Sequence, residues 1–139
     1  IGKGPLSGIF SGTVVTVMVQ SSSTTTSLVV PLVGNGVLKT RDIYPFTLGA
    51  NIGTCITALI ASLAVTGEFA LFALQIALVH LIYNLLGVVV VFGNKFLREI
   101  PLKMAESLSV RVAKQKMLGF AYIAGVFFIM PIGAIFISQ

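Results

Sequence analysis

Between its charged residues the chain leaves four uncharged windows, 4–38, 43–67, 69–94 and 117–139. Each is at least as long as the roughly 20 residues that a bilayer-spanning helix needs. Soluble domains carry charge on about a quarter of their residues; here the figure is 9%, with 56% hydrophobic residues and a mean hydropathy of +1.04. The windows show no strand-like alternation, so helices are expected and the fold class is an all-α, multi-pass membrane protein. The first window is too long, and too interrupted by polar residues, for a cleavable signal peptide. A single cysteine, Cys55, excludes an internal disulfide.

The net charge of +5 does not point to nucleic acid, because the bases flank apolar windows instead of forming a stripe with interleaved aromatics. Lys39 and Arg41 lie in one connector. Lys95, Arg98, Lys103, Arg111, Lys114 and Lys116 lie in another, and the turn between them carries Glu68 and no base. If windows 43–67 and 69–94 each cross once, the basic connectors 39–42 and 94–116 share a face, which the positive-inside tendency makes cytoplasmic, in a cell (inner or plasma) membrane. A single transmembrane domain, 1–139, is expected: hairpin 5–38, broken helix 43–66, transmembrane helix 69–93, amphipathic interfacial segment 94–116 and transmembrane helix 117–138.

The first window contains eight consecutive uncharged polar residues, Gln20 to Ser27 (QSSSTTTS). Hydrocarbon offers such groups no partners, so the block must face protein, water or a ligand. The apolar arms on either side, 5–19 and 24–38, are each about 22 Å long as helix against a hydrocarbon core of about 30 Å. Two short arms meeting at a polar vertex describe a re-entrant helical hairpin with Gln20 to Ser23 at its tip and Gly34-Asn35-Gly36 ending the return arm. That arrangement also puts Lys3 on the basic face. A single pass through Gln20 is the competing reading, and it would leave Lys3 on the other side. Gly4, Gly8 and Gly12 recur every four residues along the first arm, a spacing that admits a close neighbouring helix. In the second window, Gly49-Ala50-Asn51-Ile52-Gly53-Thr54 weakens helix, and Asn51 or Thr54 could cap a restart, so a discontinuous helix is expected. A Gly49/Gly53 packing face within a continuous helix is the alternative.

Two such breaks would aim free backbone N–H groups and positive dipole ends inward, which suits an anion. Freed carbonyls and threonine hydroxyls at the same places suit sodium, the pattern of secondary transporters. No Asp, Glu, Lys or Arg is available at that depth, so co-bound cations must balance the anion.

The segments VQSSSTTTSLVVPLVGNGVL, YPFTLGANIGTCITALIASLA and LQIALVHLIYNLLGV, in that order, resemble the type II sodium-dependent phosphate cotransporter family, including its bacterial members. The resemblance covers about residues 5–138. It implies one half of an inverted-repeat transporter, in which two repeats each contribute a Q-S-S-S hairpin to a common site. Only one copy occurs here, so the chain is expected to be the second repeat, or C-terminal half, completed by a missing N-terminal half or a partner chain. The resemblance further implies phosphate held by Gln20, Ser21, Ser22 and Ser23, and sodium held by Asn51, Thr54 and Thr57 with Ser23 or Thr24. Sodium is then a co-substrate, no other cofactor is implied, and transport proceeds by alternating access. Ala50 stands where animal relatives have serine and Cys55 where threonine is common, which leaves the number of sodium ions open.

Several residues have plainer readings. His80, with Asn84 and Gly87 on one helical stripe, is either a proton-sensitive group or a neutral interhelical hydrogen bonder. The segment 94–116 reads as an amphipathic stretch near anionic lipid, and Glu68 as a solvated turn charge. Thr24 to Ser27 would bond back to carbonyls if they were only structural. There is no GxSxG, P-loop or HExxH and a single histidine, so enzymatic chemistry lacks its parts. A transporter or channel for another oxyanion, and a non-transporting membrane module, are the rival functions.

Overall fold

A computed structural model describes residues 4–138, which are helical apart from short turns and contain no strand. Lys3, expected on the basic face, lies outside the described residues. Helix α1 spans Pro5–Val19, α2 Ser22–Gly34 and α3 Thr40–Ser62; a 3-10 turn at Gly67–Phe69 leads into α4, Ala70–Gly93, and then α5, Lys95–Lys114. Helix α6, Lys116–Ala124, passes through a wide turn at Gly125–Ile129 into α7, Met130–Ile137. Three stretches are long and apolar enough to cross a membrane: Thr40–Ser62, Gly67–Gly93 and Lys116–Ile137. The contacts divide the chain into two compact units, one ending at Leu102 and the other beginning at Lys103.

In the first unit α3 is the centre: α1, α2 and α4 all pack on it. The α1–α3 contact is backbone on backbone. A Cβ added at Gly12 would strike the Phe46 carbonyl, and one added at Gly49 would strike the Ile9 carbonyl, so only glycine permits the approach. A Cβ at Gly8 would lie 2.9 Å from Pro45 and one at Gly53 would lie 2.6 Å from Thr16. These partners advance together along both helices, so α1 and α3 run parallel. That register decides where α2 goes. Helices of the lengths of α1 and α2 extend about 22 Å and about 20 Å. Residues 35–39, fully extended, reach only about 17 Å. To deliver Thr40 to the level of Gly4 and Pro5, α2 must double back alongside α1, and it touches both α1 and α3.

The expected break in the second window is absent. Helix α3 runs without interruption from Thr40 to Ser62, which corrects both the discontinuous helix and its bounds of 43–66. Gly49 and Gly53 take up the approach of α1, and the Thr54 hydroxyl expected to cap a restart turns back on its own helix, donating to the Ala50 carbonyl at 3.2 Å, as the Thr57 hydroxyl does to the Thr54 carbonyl at 2.8 Å. The helix starts earlier than the uncharged window because the Lys39 N–H donates to the Asp42 carboxylate at 3.0 Å and caps its first turn.

At the Thr40 end, Arg41 and Glu99 form a paired, bidentate contact at 2.9 and 2.7 Å, Tyr44 stacks on Phe92 at 6.3 Å, and the Arg98 guanidinium lies 5.4 Å from the centre of the Phe92 ring. Asn94 starts α5 by accepting the Phe96 N–H at 2.9 Å. These contacts fix the beginning of α5, up to the buried Leu102, against the ends of α3 and α4.

In the second unit, extended Gln115 separates α5 from α6. Gly119 packs near Val112. The wide turn at 125–129 precedes Pro131, whose missing N–H and ring crowd the helix one turn back. Phe120, Ile123, Phe127 and Phe128 are exposed, the surface expected of a helix that meets acyl chains.

Candidate functional site

Helix α1 ends because Gln20 adopts a left-handed conformation, φ 58° and ψ 24°, the only non-glycine residue with positive φ among those described. That conformation costs a non-glycine residue about 1–2 kcal/mol, and it is held by the Gln20 N–H donating to the Thr16 carbonyl at 2.7 Å. Ser21 is extended, and its Oγ accepts from the Thr24 N–H at 3.2 Å and from the Thr24 hydroxyl at 3.0 Å. It is therefore the N-cap of α2. The polar run divides at this point: Thr25 and Thr26 donate to the Ser21 and Ser22 carbonyls at 2.9 and 2.8 Å and serve the helix. Gln20, Ser23 and Thr24 are exposed and Ser21 and Ser22 half-buried.

One turn thus presents two kinds of group. Beyond the Thr16 carbonyl, already taken, the carbonyls of Val17, Met18 and Val19 lie past the last intrahelical bond of α1. Across the vertex the first N–H groups of α2, at Ser22 and Ser23, lack intrahelical acceptors for the same reason. Carbonyl oxygens at a negative dipole end and N–H groups at a positive one can receive a cation and an anion side by side.

The α1–α3 register carries two of the second set of residues, Thr54 and Thr57, toward this level and leaves Asn51 lower, alongside the stretch between Gly12 and Thr16. With Gly8 at Pro45 and Thr16 at Gly53, one further helical turn brings Thr57 level with Gln20, and Thr54 just below it. Both threonines are half-buried, and Asn51 is exposed. Their hydroxyl protons are engaged within α3, which leaves oxygen lone pairs as possible cation ligands. Ala50 and Cys55 are both fully buried. Ala50 lies against Gly12, and the Cys55 thiol donates to the Asn51 carbonyl at 3.2 Å and reaches the His80 carbonyl on α4 at 3.7 Å. Both of these positions serve helix packing.

His80 contributes its backbone to the α3–α4 contact: its carbonyl also accepts from the Asn84 amide at 3.0 Å, and its ring is exposed. Two residues near the vertex were not singled out from the sequence. Thr13 donates within reach of both the Ile9 carbonyl, 2.9 Å, and the Gly49 carbonyl of α3, 3.0 Å, and Thr16 is fully buried. Only the position of Thr16, one turn before Gln20, hinted at a role. Among the described residues no three His, Cys, Asp or Glu side chains gather around a common point, so an ion here would be held by neutral oxygens. A cleft of about 230 Å³ lies at the other end of α1 and α3, lined by Arg41, Tyr44, Phe92, Arg98 and Glu99 among others, away from the vertex.

A family model described as Na+/Pi-cotransporter matches residues 1–123. Sodium-dependent phosphate transport protein 2C of Rattus norvegicus is 38% identical over 138 residues, covering 97% of this chain and 23% of the relative. Sodium-dependent phosphate transport protein 2B of Homo sapiens is 40% identical over 124 residues, covering 89% and 18%, and protein 2A of Oryctolagus cuniculus is 40% identical over 120 residues, covering 86% and 18%. The chain therefore spans about a fifth of the length of these relatives. No solved structure matches it.

Proposed function

This chain belongs to the Na+/Pi-cotransporter family, and we propose that it forms part of a sodium-coupled symporter that carries inorganic phosphate across a cell membrane. The observation that carries the reading is the vertex, where α1 stops at Gln20 and α2 restarts behind the Ser21 cap. Phosphate is received at the N-terminus of α2 by Gln20, Ser21, Ser22 and Ser23, whose N–H and hydroxyl groups can donate to its oxygens. Sodium is held by hydroxyl and amide oxygens of Ser23, Thr24, Asn51, Thr54 and Thr57, with help from the carbonyls that end α1. The cation offsets the phosphate charge where no lysine or arginine is available, so each ligand strengthens binding of the other.

In this reading α1 and α2 enter the bilayer and leave it on one face, the basic connectors 39–42 and 94–116 lie in the cytoplasm, and a second Q-S-S-S repeat, on the same or a partner chain, completes the site. The pairing of Arg41 with Glu99 supports a common face for the two connectors. Alternating access then exposes the completed site to each side in turn.

The test is sodium-dependent uptake of labelled phosphate by the full-length protein in proteoliposomes. Ser22→Phe, which fills the space before α2, is expected to abolish uptake, and uptake at the wild-type rate overturns the reading. Competition by sulfate and by small carboxylates as strong as that by phosphate would instead identify a carrier of another oxyanion.

A further inference from the structure

The Thr16 hydroxyl is the one buried side-chain oxygen or nitrogen among the described residues that lacks a hydrogen-bond partner, and the residue is completely inaccessible. Helical threonines ordinarily donate to the carbonyl four residues earlier. Thr13, Thr25, Thr26 and Thr54 all do so, at 2.9, 2.9, 2.8 and 3.2 Å. Thr16 forms no such bond with Gly12. A buried hydroxyl without a partner is unfavourable in the resting protein, and such an atom in a native interior calls for a water, an ion or a function to account for it.

Its surroundings narrow the choice. The side of Thr16 that meets α3 is apolar: a Cβ built at Gly53 lies 2.6 Å from the Thr16 Cβ and 3.0 Å from its Cγ2. Gly53 immediately precedes Thr54, and the Thr16 carbonyl holds the N–H of Gln20 at the vertex. Thr16 thus sits one turn below the break in α1, level with the part of α3 that leads into Thr54, with its Cβ and Cγ2 turned to Gly53. Phosphate is large and needs several donors, which α2 supplies. A small dehydrated cation needs hard oxygen atoms and little room.

We propose that Thr16 supplies a buried oxygen ligand to the transported sodium ion, in addition to the residues named above. The assignment rests on the reading of the chain as part of a sodium-coupled carrier. The hydroxyl oxygen is without a partner in the empty protein, and sodium on entry takes one of its lone pairs.

The full-length protein in proteoliposomes tests this through three variants. Thr16→Val keeps the shape and deletes the oxygen, Thr16→Ala only removes atoms, and Thr16→Ser restores the oxygen. Thr16→Val and Thr16→Ala are expected to raise the sodium concentration for half-maximal uptake about three- to tenfold. At saturating sodium the phosphate KM stays as in the wild type, and Thr16→Ser regains most of the lost sodium affinity. In sodium-free choline buffer the melting temperature of Thr16→Val is equal to or above that of the wild type, a result that a purely structural hydroxyl would not give. An unchanged sodium requirement in both oxygen-deleting variants, or a lower sodium-free melting temperature with the sodium requirement unmoved, overturns the assignment and leaves an internal water or simple packing. Wild-type protein without sodium-stimulated uptake overturns the carrier reading itself, and this assignment with it.

Discussion

The chain holds two glycine- or hydroxyl-rich segments that weaken a helix, Gln20–Ser23 and Gly49–Thr54, and they behave oppositely. At the first, Gln20 turns left-handed and Ser21 caps a new helix. At the second, α3 passes straight through. Both segments contain residues of low helix propensity, so propensity does not separate them. What separates them is the destination of the polar groups: at the vertex a serine side chain is placed to accept the Thr24 N–H, whereas in α3 the Thr54 and Thr57 hydroxyls return to their own helix. The α3 glycines are occupied by a neighbour, since the carbonyl of Ile9 fills the space a side chain at Gly49 would need. A weak helical stretch breaks when something caps the break and persists when a partner helix uses the weakness.

The contrast can be pressed by substitution, from the largest expected effect down. Gly12→Leu and Gly49→Leu put a side chain into the backbone of the facing helix and should cost more than the roughly 1–3 kcal/mol of ordinary overpacking, seen as loss of monodisperse protein in detergent. Ser21→Ala removes the cap and should destabilise α2 by about 1 kcal/mol, with phosphate affinity falling about fivefold in equilibrium binding. Arg41→Gln should cost less than about 1 kcal/mol, because the Arg41 side chain is 53% exposed; a thermal melt that restores stability in the doubly reversed Arg41→Glu, Glu99→Arg protein would confirm that the pair matters through charge. Gly87→Ala, at a position with nothing within 4 Å, should shift stability by less than about 0.5 kcal/mol. If Gly87→Ala proved as damaging as Gly49→Leu, glycine would be serving the helix itself, and the distinction between the two segments would fail.

The membrane-length helices were legible because charged residues punctuate the chain, and helix needs no distant partner to be inferred from such spacing. The vertex was legible for a similar reason: Ser21 caps a helix through Thr24, three residues away. The continuity of α3 was not, because it depends on Ile9 and Gly12 of another helix, and a glycine pair looks the same whether it frees the backbone or admits a neighbour. The orphaned Thr16 hydroxyl was equally hidden, since sequence alone gives no sign that this threonine withholds the bond its neighbours make. Nor did charge pattern single out Glu99 as the partner of Arg41 from among the acidic residues.

The parallel alignment of α1 with α3 carries a consequence for biogenesis. In the proposed carrier, the turn at Gln20 and Ser21 is synthesised before Thr40–Ser62, and the backbone-on-backbone contact of α1 with α3 forms only once that later helix is made, so α1 would settle in the lipid no earlier than α3.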